Sequence, residues 1–148
     1  MRDDELNGSG SAPDRLELVR AAVNSSPFYL HLGMRVESCG DGRSLFVMEA
    51  RETATNIFGS LHGGSLASLI DSACGLALAS RLEPAETAVT VDLNIKYLRP
   101  AYPGRLSATG QVIYRGKVVG VEEAEIHQEN GELLAKGTAI HVISRRAS

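Results

Sequence analysis

The sequence predicts an α+β domain in which a largely antiparallel sheet of about six strands wraps around one long helix. A segment from about Gly63 to Ser80 is apolar around its whole circumference, which is typical of a buried helix rather than a surface one. The segments on both sides of it read as strands, and most are joined by short turns, which favours antiparallel pairing. The chain of 148 residues is long enough for one domain with a substantial core.

The N-terminal part of the chain divides into a tail and a short helix. Residues 1–13 are rich in Asp, Glu, Gly and Ser, and we expect them to form a disordered tail, with a single domain over 14–148. Apolar residues at helical spacing predict a helix over 14–24 with Asp14 as its N-cap, ended by Pro27.

The remaining segments supply the sheet. We expect a hairpin before the long helix and four strands after it, with turn signals at Asp41-Gly42, Arg115-Gly116-Lys117 and Asn130-Gly131. The predicted strands cover 34–38, 44–50, 89–97, 106–114, 118–127 and 133–143. Strict alternation over 89–97 predicts a half-buried strand with Val89, Val91, Leu93, Ile95 and Tyr97 on one face.

Composition and motifs exclude several classes of function. The net charge of -3 gives no electrostatic basis for nucleic-acid binding, and no apolar run is long enough to span a membrane. The acidic N-terminus contains no signal-peptide core, so a cytoplasmic protein is expected. We find no Cys/His cluster for a metal, no Gly-x-Ser-x-Gly motif, no P-loop and no dinucleotide fingerprint, and we expect no cofactor.

Asp71 is the ionisable residue inside the apolar helix. A carboxylate there is costly unless it is paired, hydrogen-bonded or used in chemistry. We therefore expect the fold to bury the helix but to expose Asp71 to a cleft or to a partner subunit.

The loop and helix together carry a recognisable pattern, Asn56-x-x-Gly59-x-x-His62-Gly63-Gly64, with Asp71 nine residues after His62. This pattern resembles the signature of hotdog-fold acyl-CoA thioesterases, in the branch of the phenylacetate-pathway (PaaI-type) and Arthrobacter-type 4-hydroxybenzoyl-CoA enzymes. The run over 89–100 resembles the strand that follows the helix in that branch. The resemblance covers about 29–144.

The resemblance implies a homodimer whose two sheets join edge to edge, and which usually pairs again into a tetramer. It also implies active sites at the dimer interface, where the helix carboxylate of one subunit faces the Asn/His/Gly loop of the other. The substrate would be an acyl-CoA with a medium-chain or aromatic acyl group, of which coenzyme A is itself a part.

Five residues are candidates for catalysis. The N–H of Gly63, at the positive end of the helix dipole, would polarise the thioester carbonyl. Asp71 would be the nucleophile or the general base on water, and the sequence leaves both roles open. Asn56 would orient water or the thioester, His62 would hold the loop or assist polarisation, and Thr90 would help to place water.

Substrate contacts are predicted from charge and side-chain size. Arg99 and Lys117 match positions that touch the nucleotide in the related branch, and Arg115, Arg145 and Arg146 are weaker candidates. The acyl group is expected against the helix and the dimer seam, near Phe58, Leu61, Gly64, Ser65 and Ser68.

Each of these features also has a simpler explanation. A Gly pair fits any helix start, a lone histidine is more often structural, and one Asp in a helix could serve only a subunit interface. His31, His127 and His141 are expected to be surface or packing residues. The alternative function is a non-catalytic acyl-CoA-binding hotdog protein. A hotdog dehydratase or hydratase is disfavoured because its catalytic His motif is not found.

Overall fold

The computed structural model describes residues 14–147, so the predicted disordered tail over 1–13 lies outside the described residues. The helices are α1 (Arg15–Ser25), α2 (Pro27–Leu32) and α3 (Gly63–Ala79). The strands are β1 (Met34–Gly40), β2 (Arg43–Ala50), β3 (Glu86–Tyr97), β4 (Gly104–Arg115), β5 (Val119–Gln128) and β6 (Leu133–Arg145). The predicted α+β class is confirmed.

One antiparallel sheet contains all six strands, in the order β1-β2-β4-β5-β6-β3. The long helix α3 packs across this sheet, and its residues Leu69, Ile70, Ala73 and Cys74 are fully buried in the core. Strand β4 comes unusually close to α3, because an added Cβ at Gly110 would lie 2.3 Å from the Ala73 carbonyl oxygen. Among the described residues, no helix is long and apolar enough to cross a bilayer.

The N-terminal helices add one element that the sequence reading missed. Asp14 takes the N-cap position of α1, although its side chain makes no capping hydrogen bond. Pro27 does follow the end of α1, but it also begins the short helix α2, where its missing N–H and fixed φ suit the first turn. Gly33 ends α2 in the left-handed conformation, with φ of 70°.

The alternation predicted for β3 is wrong in its middle. A β-bulge shifts the register between Thr90 and Asp92, so that the strand does not keep one face throughout. Thr90, predicted on the face opposite Ile95 and Tyr97, points towards α3 as they do. The bulge therefore turns the Thr90 hydroxyl to the side of the sheet that carries Asp71.

Strand β3 lies at the edge of the sheet, and it is not half-buried in the single chain as predicted. Val89 and Val91 are 65% and 61% exposed, and Leu93 and Tyr97 are also exposed. Ile95 packs against the core. An edge strand with exposed apolar side chains is a surface on which another strand can pair.

Candidate active site

Asp71 lies in the middle of α3 at the wall of a cavity of about 560 Å³ between α1, α3 and the start of β3. Its side chain is partly exposed, as the sequence reading expected of a usable carboxylate. The Thr90 hydroxyl donates a hydrogen bond of 2.8 Å to its Oδ1. In the part of the chain that the structure describes, this is the one hydrogen bond of the Asp71 carboxylate, so Oδ2 is available to a water or a ligand.

The same cavity has an apolar wall and a charged rim. Arg15 and Arg146 line it, and Ser72 and Gly75 lie on its α3 side. The apolar lining comes from Val19, Val23, Tyr29, Phe46, Leu76, Ala79, Leu82, Ala88 and Val89. A carboxylate beside an apolar cavity suits a ligand that has a polar reacting group at one end and an apolar group at the other.

The start of α3 leaves a backbone donor available. His62 is the N-cap residue, and its Nδ1 accepts the Gly64 N–H at 2.8 Å. The Tyr97 hydroxyl donates to the Gly63 carbonyl at 2.9 Å. Among the described residues nothing accepts the N–H of Gly63, which belongs to the first turn of the helix. This N–H is therefore suited to bind an oxygen with developing negative charge.

Asn56 shapes the loop that leads into α3. Its Nδ2 donates to the Ser60 hydroxyl at 2.8 Å, and its Oδ1 accepts the Phe58 N–H at 2.9 Å. Gly59 completes the turn with φ of 82°. Both polar atoms of the Asn56 amide thus serve the loop in the single chain, and the loop presents Phe58 with 84% of its surface exposed.

The predicted catalytic residues fall into two separate groups in one chain. Asp71 and Thr90 touch each other, whereas His62 and Gly64 line a second cavity of about 300 Å³ against α2, together with Ser65 and Ser68. Gly63 and Asp71 are eight residues apart on the same helix, which separates them by about 12 Å along its axis. A single chain therefore does not bring the carboxylate to its own helix start.

The predicted substrate-binding residues are also dispersed. Arg99 donates to the Leu133 carbonyl at 2.7 Å and pairs with Glu132 at 2.9 Å, while Lys117 is exposed in the turn between β4 and β5. These two cations lie at opposite ends of β6, near Leu134 and Ile143, which are about 30 Å apart over nine residues of strand. Leu61, expected near the acyl group, is instead a core residue with 4% exposure.

The sequence reading missed a pair of buried residues behind Thr90. His141 was expected to be a surface or packing residue, but both of its ring nitrogens are hydrogen-bonded: Nε2 lies 3.0 Å from the Thr90 hydroxyl and Nδ1 lies 2.7 Å from Glu122 Oε2. The alternation of the strands could have revealed them. Glu122 lies on the same buried face of β5 as Ala124, and His141 lies on the same buried face of β6 as Ala139. Polar residues at inward positions call for a partner.

A buried thiol lies behind the cavity, next to Ala73 on α3. Burial, followed by the charges of Glu122 and Asp71, raises the pKa of the Cys74 thiol far above its usual range, so this neighbour of the site is not a thiolate. Among residues 14–147, no group of three His, Cys, Asp or Glu side chains could hold a metal ion.

Comparison with known proteins identifies the family of this chain. The family model described as the thioesterase superfamily matches residues 58–135. Human acyl-coenzyme A thioesterase 13 is 32% identical over 124 residues, which are 82% of this chain and 88% of that protein. The 1,4-dihydroxy-2-naphthoyl-CoA hydrolase of Listeria monocytogenes is 30% identical over 103 residues, covering 70% and 84% of the two chains.

A solved structure gives the same result for the fold. The PaaI protein of the Escherichia coli phenylacetic acid degradation operon superposes with a TM-score of 0.78 at 28% identity, covering 89% of this chain and 93% of that one. The resemblance to hotdog-fold thioesterases, read from the loop and helix motif, is confirmed at the level of the superfamily. The chain therefore belongs to the thioesterase superfamily, and it is a thioester hydrolase of the hotdog fold.

Proposed function

We propose that this enzyme hydrolyses an acyl-CoA with a medium-chain or aromatic acyl group to the free acid and coenzyme A. The observation that carries the proposal is Asp71, hydrogen-bonded through one oxygen by Thr90, at the wall of a cavity whose other lining is largely apolar. The human relative is named as an acyl-CoA thioesterase, and the Listeria relative acts on an aromatic acyl-CoA. Both names agree with this chemistry.

The acyl group would lie in the cavity between α1 and α3, with its thioester at Asp71. The wall formed by Val23, Tyr29, Phe46 and Leu76 would exclude water from a ring or an alkyl chain. Coenzyme A would extend from the mouth of the cavity, and Arg99 and Lys117 remain candidates for its phosphates. Gly64 and Ser68, also proposed to contact the substrate, line the second cavity. The substrate could reach all four of these residues only where two chains combine.

Two copies of the chain would complete the site by pairing along β3. Asp71 is hydrogen-bonded to Thr90 in the first half of β3, and Gly63 is hydrogen-bonded to Tyr97, the last residue of this strand. An antiparallel copy reverses the strand direction, so the Asp71 end of one chain would meet the Gly63 end of the other. The exposed Val91 and Phe58 support such a contact, and a further pairing into a tetramer is part of the proposal.

Asp71 would act in one of two ways, as a general base or as a nucleophile. As a base it takes a proton from water while the water oxygen attacks the carbonyl; the C–S bond breaks, and the proton passes to the departing thiolate. As a nucleophile its oxygen bonds to the carbonyl carbon while the C–S bond breaks, which gives an anhydride and a thiolate. Water then hydrolyses the anhydride to the free acyl carboxylate and the original Asp71 carboxylate; of the two protons released, one passes through solvent to the thiolate and the other stays in solvent. In both routes the N–H of Gly63 from the second chain would stabilise the carbonyl oxygen.

The first test measures thiol release from a panel of acyl-CoAs by the wild type and by Asp71→Asn. Asparagine keeps an oxygen that accepts from Thr90, so the fold should be retained while kcat falls by about 10²–10⁴-fold. Asp41→Asn, the same change in the turn between β1 and β2 and outside this cavity, is the matched control and should retain activity. An unchanged kcat in Asp71→Asn would refute the mechanism, and acyl-CoA binding without thiol release by the wild type would favour the binding-protein alternative.

Complementation tests the shared site. Asp71→Asn and Gly63→Val chains, each inactive alone, are denatured together and refolded. A mixed dimer combines one intact Asp71 with one intact Gly63, so activity should return to up to about half of the wild-type value in that species. If the mixture stays as inactive as its components, the two residues do not meet across a subunit boundary.

Cytoplasmic location, the single domain over 14–148 and the site roles of His62 and Asn56 stay predictions.

A further inference from the structure

Four side chains form a continuous hydrogen-bonded chain from the core to the cavity. Glu122 Oε2 lies 2.7 Å from His141 Nδ1, His141 Nε2 lies 3.0 Å from the Thr90 hydroxyl, and Thr90 donates to Asp71 at 2.8 Å. Glu122 is 0% exposed and His141 is 4% exposed. Asp71 is the member of the chain that lies in α3, while the other three lie on β3, β5 and β6.

The direction of each hydrogen bond follows from the number of protons. An ionised Asp71 accepts only, so the single proton of the Thr90 hydroxyl points at Oδ1. The hydroxyl oxygen must then accept from His141, which requires a proton on Nε2. The Nδ1 atom shares the remaining proton with Glu122 Oε2, and whichever of those two atoms holds it, Nε2 stays a donor. The ionised Asp71 therefore sets the direction of these hydrogen bonds, and Glu122 gives Nδ1 a partner while Nε2 carries its proton.

The Glu122 side chain is packed tightly against the backbone of its own strand at Gly120. An added Cβ at Gly120 would lie 2.5 Å from Glu122 Oε1, and one at Gly75 would lie 3.4 Å from His141 Nε2. Within residues 14–147, Glu122 Oε1 is buried without a hydrogen-bond partner. A buried pair of this kind is often replaceable by apolar residues without loss of stability, so filling the core does not explain it.

We propose that Glu122 and His141 are positioning residues for the hydrolysis: they hold the Thr90 hydroxyl as a donor to Asp71 Oδ1, which fixes the carboxylate with Oδ2 towards the cavity. Without the His141 N–H, the Thr90 hydroxyl is free to rotate away from Asp71. The carboxylate then loses its one anchor and adopts several orientations. The inference rests on the proposed role of Asp71. It gives His141, which also lines the cavity, and the fully buried Glu122 an effect on the reaction through the Thr90 hydroxyl.

Two matched variants of His141 separate positioning from simple burial. In His141→Gln the amide nitrogen reaches about as far as Nε2 and still donates to Thr90, whereas in His141→Asn the shorter amide reaches only the position of Nδ1. Both bury one amide, so their unfolding midpoints should fall by similar amounts. We expect kcat within about threefold of wild type for His141→Gln and about 10- to 100-fold lower for His141→Asn, with KM within about twofold in both.

A second variant pair and a double-mutant comparison exclude a general structural effect. Glu122→Gln can still donate to Nδ1 and should keep most of kcat, whereas Glu122→Leu should lower it as His141→Asn does. In a Thr90→Ala background, His141→Asn should change kcat by less than about twofold, because the effect passes through the hydroxyl. The proposal would be overturned if His141→Asn lowered kcat as much in the Thr90→Ala background as in the wild type. Equal kcat values in His141→Gln and His141→Asn would overturn it as well.

A measurement on the wild type does not depend on folded variants. Nitrogen NMR of histidine-labelled protein should show His141 with a proton on Nε2. A ring protonated on Nδ1 alone would overturn the inference, because Thr90 would then donate to His141 rather than to Asp71. If the wild type released no thiol at all, the proposed function would fail while the NMR result still decided the direction of the chain. Normal wild-type hydrolysis with an Nδ1-protonated ring would refute the positioning role alone.

Discussion

Replacing Gly110 with alanine tests how closely β4 approaches α3. An added Cβ would lie 2.3 Å from the Ala73 carbonyl oxygen and 2.8 Å from the Ser44 hydroxyl, so strand and helix must separate by about 1 Å to admit it. Overpacking of this kind costs about 1–3 kcal/mol. The separation also breaks the buried hydrogen bond of 2.6 Å from Ser44 to Ala73, which adds about 1 kcal/mol.

The expected loss for Gly110→Ala is therefore about 2–4 kcal/mol of unfolding free energy, which lowers Tm by roughly 6–16 °C for a chain of this size. Denaturant and thermal unfolding at one fixed protein concentration measure it, since assembly would make Tm depend on concentration. The control is Gly40→Ala, where an added Cβ meets nothing within 4 Å. If the unfolding free energies of Gly110→Ala and Gly40→Ala agreed within about 0.5 kcal/mol, the inferred close approach of β4 to α3 would be wrong.

Two further predictions concern the start of α3 and its buried thiol. Tyr97→Phe removes the hydrogen bond to the Gly63 carbonyl and should cost about 0.5–1.5 kcal/mol of stability in denaturant titrations, whereas Tyr102→Phe, at an exposed tyrosine, should cost less than about 0.5 kcal/mol. Burial raises the pKa of the Cys74 thiol far above its usual range, so the folded thiol keeps its proton when the unfolded one ionises. Stability should therefore fall as pH rises above about 9, by up to about 1.4 kcal/mol per pH unit from this group. Cys74→Ala should flatten that slope in unfolding titrations from pH 8 to 11, and an unchanged slope would contradict the assignment.

The elements most accessible from the sequence were those with a strong, uniform pattern. An apolar circumference located α3 to within a residue of its observed bounds, and turn signals such as Asp41-Gly42 located the hairpins. The Asn56 loop and Asp71 were found because their spacing along the chain resembles a known family. Such features depend on local sequence alone, which is why one sequence suffices to predict them.

What the sequence did not reveal depends on contacts between distant residues. The bulge in β3 adds one residue to a strand whose valines suit either face, so composition gives no sign of it. The hydrogen bond between Thr90 and His141 joins residues 51 apart in the sequence. Glu122 and His141 were visible as polar residues on inward positions, but only the assembled sheet shows that each is the other's partner.

The extra residue in β3 means that this strand cannot be made regular without loss. Deleting Val91 would restore a continuous ladder of hydrogen bonds between β3 and β6. Taken alone, that change would stabilise the sheet. It would also rotate every residue on one side of the deletion by half a turn, sending the Thr90 hydroxyl away from α3 while Ile95 kept its place in the core. An engineer seeking a more stable version of this chain would have to leave that irregularity untouched.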